Sequence, residues 1–181
     1  MKNFTREDLL FSLCGLNCGL CPMHLDGYCP GCGGGEGNQS CKIAKCSLRH
    51  GSPAYCSQCR EFACELYADI DKTDSFITHQ NRRKDLEKQR EMGVEAYQAE
   101  QKEKIQLLQW LLKNCNDGRK KTFFCVAVNL LDMETVKQTV EQARNDAVFE
   151  TLSVKEKAIL ITERFRRAAE EQGILLKLRR K

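Results

Sequence analysis

The chain has 181 residues, of which 41% are hydrophobic and 30% charged, with a net charge of +4. That balance belongs to a folded, water-compatible chain rather than a disordered one, and the length suits one ordinary core or two small units. Apolar runs such as Phe123 to Val128 fall far short of the about 20 residues a bilayer span needs, so no membrane partner is expected.

Thr5 and Asp8, at capping-box spacing before Leu9, Leu10 and Leu13, predict a short first helix that runs into Cys14. From Cys14 to Cys59 glycine and cysteine dominate, with Pro22, Pro30, Pro53 and the run Gly31 to Gly37, and no apolar periodicity persists. Such a stretch buries too little apolar surface to offset its chain entropy. Metal coordination can fill that gap, because its binding free energy becomes folding free energy. Arg60 to Ala68 reads as helical, with Phe62, Leu66 and Cys64 near one face, and Asp74 or Ser75 is expected to open a helix reaching Glu91, broken at Gly93.

Val94, Tyr97, Ile105, Leu108, Leu112 and Cys115 fall at helical spacing over Val94 to Lys113, and Asn116, Asp117 and Gly118 supply a stop. Thr122 to Leu131 is apolar all round and fits a buried helix or a buried strand; helix is the preferred reading. Asp132 is placed to cap a helix through Arg144. Ser153 and Glu156 form a capping box for a last long helix to Gln172, closed by Gly173, and Ile174 to Leu178 adds a strand or a tail. The expected fold is mainly α: a small irregular cysteine-rich metal-binding module over residues 1–68, followed by a helical region over 69–181.

Twelve cysteines carry the functional signal, ten of them between Cys14 and Cys64. The first residues, with Lys2, Arg6, Glu7 and Asp8, lack the apolar stretch of a secretory signal, so a cytoplasmic location is expected. In that reducing compartment a dense cysteine framework is more often a metal site than a disulfide scaffold. Cys14, Cys18 and Cys21 are spaced C-x3-C-x2-C; Cys29 and Cys32 form C-x2-C; Cys41 and Cys46 form C-x4-C; Cys56, Cys59 and Cys64 read C-x2-C-x4-C. Two thiolates separated by two residues can grip one metal from a single tight turn. Zinc, with four tetrahedral ligands, is the leading cofactor, and ten cysteines suffice for two four-thiolate sites with two left over. One sequential site would use Cys29, Cys32, Cys41 and Cys46, leaving the first triplet to close against the last. The alternative is an iron–sulfur cluster on Cys14, Cys18 and Cys21, whose spacing is that of radical enzymes using S-adenosylmethionine. Against such an enzyme stands the absence of alternating strands and helices after Cys64.

Three stretches also resemble a known family. They are Cys14-Gly15-Leu16-Asn17-Cys18-Gly19-Leu20-Cys21-Pro22, Cys41-Lys42-Ile43-Ala44-Lys45-Cys46, and Cys56-Ser57-Gln58-Cys59-Arg60-Glu61-Phe62-Ala63-Cys64-Glu65. They look like a cysteine-rich family of bacterial and archaeal proteins catalogued as a domain of unknown function, over roughly the first third to half of the chain. That family often has proline before the final cysteine of the last motif, where this chain has Ala63. The resemblance implies metal binding and attaches no reaction.

The remaining candidates are weaker. His24 and His50 could enlarge the ligand pool, although a lone loop histidine is more often simply exposed, and His79 reads as surface. Cys115 and Cys125 lie in apolar stretches and are expected in the core. The run Gly31 to Gly37 lacks the Lys-Ser/Thr ending of a phosphate loop and reads as a flexible link. Asn116 to Lys121 combines a helix stop with three basic residues; a solvated turn is a better account of it than an anion site. Arg82, Arg83 and Lys84 with the basic end (Lys177, Arg179, Arg180, Lys181) hint at nucleic acid, but acidic residues interleave through the helices and argue against it. A protein partner for the helical part, and metal release on oxidation as a redox signal, are compatible with the pattern. No catalytic residue is assigned.

Overall fold

A computed structural model describes residues 3–35 and 41–179. Among the described residues the fold is mainly α, with eight α-helices and no strand. The helices are α1 (Pro22–Leu25), α2 (Lys42–Arg49), α3 (Arg82–Met92), α4 (Val94–Asn114), α5 (Lys121–Leu130), α6 (Met133–Arg144), α7 (Ala147–Thr151) and α8 (Val154–Glu171). None is long and apolar enough to cross a membrane. The chain forms two compact units, one running to Gln101 and including Arg179, the other Lys102–Leu178. The composition changes near residue 68, whereas the first unit continues to Gln101, because α3 and the start of α4 supply Leu86 and Tyr97 to its core.

That core is aromatic and small. Phe11, Tyr55, Tyr67, Leu86 and Tyr97 are buried together, with Phe11 and Tyr97 ring centroids 4.7 Å apart. A second cluster joins Leu13 and Cys14 to Ile43 and Ala44 of α2. No helix forms after Thr5. Asp8 instead accepts from the Leu10 and Phe11 amides and from the Tyr55 hydroxyl at 2.6 Å, while Arg6 donates to the Asp8, Phe11 and Ala54 carbonyls. Local side-chain bonds thus outcompete the helix that the spacing of Thr5 and Asp8 suggests. Arg60 to Ala68 shrinks to one 3-10 turn at Glu65–Tyr67. The third helix starts at Arg82 rather than near Asp74, whose carboxylate is spent on the His79 amide and on Arg179. Helix α2 lies inside the stretch read as irregular.

The second unit follows its sequence signals closely. Asp132 caps α6 by accepting from the Thr135 amide, and Ser153 and Glu156 form the capping box of α8. The ambiguous run is the buried helix α5, whose Phe124 meets Phe165 of α8 edge-on at 6.5 Å between centroids. Leu108 and Leu111 of α4, Val140 of α6 and Phe149 of α7 complete this core. Cys115 and Cys125 are buried in it as small apolar groups. Residues 174–178 form a tail without a strand.

Candidate metal centre

The turn Cys14 to Cys18 is held from below by polar anchors. Asn17 is buried; its amide donates to Asp85 of α3 at 2.8 Å and its carbonyl accepts from the Tyr97 hydroxyl of α4. Gly15 has φ of +91°, and a Cβ there would collide with the Arg82 carbonyl, so the turn requires glycine. The Cys56 amide donates to the Leu13 carbonyl at 2.9 Å, which sets the last cysteine motif beside the first. Ser57 donates to Gln89 of α3 at 2.6 Å and pins that motif in turn. Gly31 to Gly34 is a packed segment, because added Cβ atoms would meet Leu9, Arg6 and Pro30; the rest of the glycine run from residue 36 lies outside the described residues.

All twelve thiols are free of disulfides. The Cys18 thiol feels the charges of the Cys32, Cys14 and Cys21 thiols, and Cys21 that of Cys29. Burial, then Cys32 and Cys14, push the Cys18 thiol well above the ordinary range. Backbone amides aim at these sulfurs: Cys32 at Cys18, His24 and Met23 at Cys21, Leu13 at Cys32. A second group adjoins the first at Cys56, which lies beside Cys14, Cys59 and Cys64 and is pushed up to about 12, chiefly by burial. Cys46, His50, Cys56, Cys59 and Cys64 line one partly open pocket, walled by Ile43, Phe62 and Leu66.

The first triplet therefore meets the last through Cys14 and Cys56. The sequential set is not brought together: Cys32 joins Cys14 and Cys18, Cys46 faces the cavity, and Cys41 is exposed at the start of α2. Among the described residues, no three cysteine, histidine or carboxylate side chains converge closely enough to hold a metal ion. The donors are assembled in two groups without being closed on a point.

Sequence reasoning passed over two side chains. Arg82 is buried, and its guanidinium donates to Cys14 Sγ and to the Cys14 carbonyl. Arg83 donates to the Tyr67 carbonyl at 2.8 Å, so two of the seven basic residues read as a nucleic-acid hint, Arg82 and Arg83, are turned onto their own unit. The Tyr67 hydroxyl is buried and turned to the Cys56 sulfur. The only clue to Arg82 was a basic residue on an otherwise polar helix start, which is usually exposed. His79 is half-buried rather than on the surface, bonded to Ser75 and pushed down to about 4 by burial and then by Arg82. His24 bonds the Cys29 carbonyl at 2.9 Å.

No family model, curated protein or solved structure matches the chain, so the geometry of this unit is what a functional reading has to stand on.

Proposed function

We propose that the first unit is a thiolate metal-binding module whose bound zinc holds the loop-rich segment from Cys14 to Cys64 together. The observation that carries this reading is the gathering of every predicted ligand except exposed Cys41 into two adjoining, partly buried groups within one unit. Burying several thiols side by side with amide donors aimed at them suits thiolates that share a cation. Two further features fit that donor set. Arg82 brings a buried positive charge to Cys14, and a buried charge needs an anionic partner. The buried Tyr67 hydroxyl is turned to the Cys56 sulfur, a donor suited to a metal-bound thiolate. Zinc would supply a cross-link between the first and last motifs. The likeness of these motifs to the cysteine-rich family points the same way.

An iron–sulfur cluster is the second reading, favoured by one observation: the Cys18 thiol interacts electrostatically with both Cys14 and Cys21, its partners in the triplet. Protein purified without oxygen should be colourless and carry stoichiometric zinc. A brown sample whose visible absorption bleaches on reduction would replace zinc by the cluster, and a sample with neither metal would end the reading altogether.

A further inference from the structure

We propose that Cys46, His50, Cys59 and Cys64 form a zinc centre of their own, distinct from the group around Cys14, Cys18 and Cys32, with His50 as a ligand and Glu61 orienting its ring. This rests on the metal-binding reading above and adds a ligand and a second ion to it.

Cys46 and His50 are one turn apart at the end of α2, a spacing that puts both on one face of the helix. Cys46 Sγ lies 3.4 Å from His50 Nδ1. With Zn–S of about 2.3 Å and Zn–N of about 2.05 Å, sulfur and nitrogen ligands on one tetrahedral ion are about 3.5 Å apart. The pair already stands at the separation one ion imposes. On the far side of the ring, Nε2 lies 3.6 Å from a Glu61 carboxylate oxygen. Metal-bound histidines commonly donate their other N–H to a carboxylate, which fixes the tautomer. Here that leaves Nδ1 bare toward Cys46. Without a cation, Nδ1–H has the Cys46 carbonyl at 2.9 Å to donate to. Zinc on Nδ1 would leave the ring proton on Nε2, facing Glu61.

Cys59 and Cys64 line the same cavity as this pair, and Cys14, Cys18 and Cys32 do not. Drawing the two sulfurs across the cavity toward Cys46 and His50 completes three thiolates and one imidazole. Cys56 lines the cavity too and has Cys14 as well as Cys59 and Cys64 near it; it is left to the other group because the four ligands named here already fill a tetrahedral ion.

The test is zinc and cobalt titration of the full, reduced chain without oxygen, with bound ions counted by native mass spectrometry. The intact chain should take two ions. His50→Ala should take one, and Cys18→Ser should also take one, the other. Glu61→Gln should keep both while weakening one by about 10- to 100-fold. His50→Cys should restore two ions, with the cobalt spectrum moving from three-sulfur, one-nitrogen toward four-sulfur coordination. One ion in the intact chain that survives His50→Ala and is lost in Cys18→Ser would overturn this proposal and leave the metal-binding reading standing. So would His50→Ala keeping two ions at unchanged affinity. No ion at all would sink both.

Discussion

Arg82 is the residue that most changes how the cysteine segment is understood. A guanidinium is always charged and has no acceptor, so burying it against Cys14 makes sense when that sulfur carries negative charge. Replacing Arg82 by Met in the metal-loaded protein should therefore cost about 3 kcal/mol, the typical penalty for stripping one partner from a buried charged pair. Anaerobic urea unfolding checks this, and Arg82→Lys should recover part of the loss. An unchanged midpoint for Arg82→Met would mean that Cys14 bears no charge for Arg82 to offset. None of this was legible beforehand, since nothing local distinguishes a buried arginine from an exposed one in Asn81-Arg82-Arg83-Lys84. The cysteines were legible as one clustered thiol set, because their spacing is a property of the chain; which ones approach one another depends on contacts such as Cys56 to Leu13, 43 positions apart.

Helices were readable where their signals are local and failed where distant partners intervene. Asp132, Ser153 with Glu156, and Gly173 mark ends that the second unit respects, because a cap needs only residues three or four positions away. Thr5 and Asp8 carry a similar signal, but Asp8 is claimed by Tyr55. Asp74 is likewise claimed by Arg179, more than 100 positions later. Helix α2 escaped notice because its eight residues lie among glycines, and its apolar face, Ile43 and Ala44, has meaning only against Leu13 and Cys14. The same locality makes a clean prediction for α8. Ser153→Ala removes the acceptor for the Glu156 amide and should lower stability by about 1 kcal/mol, read as a drop in the thermal midpoint. Ser153→Asp should retain most of it.

At the scale of the whole molecule, the two units are stabilised by different means. The second has an ordinary apolar core in Leu108, Leu111, Phe124, Phe149 and Phe165. The first has two small clusters, five and four buried residues, beneath a long irregular segment in which, among the described residues, the longest helix before α3 has eight residues. If bound metal supplies its remaining cohesion, as proposed, a chelator should act on one unit and spare the other. Amide hydrogen exchange of the reduced protein, with and without a strong chelator, tests this most directly. Protection between Cys14 and Cys64 should disappear on metal removal while α5, α6 and α8 keep theirs; unchanged protection across Cys14 to Cys64 in the chelated sample would mean that no metal holds this segment.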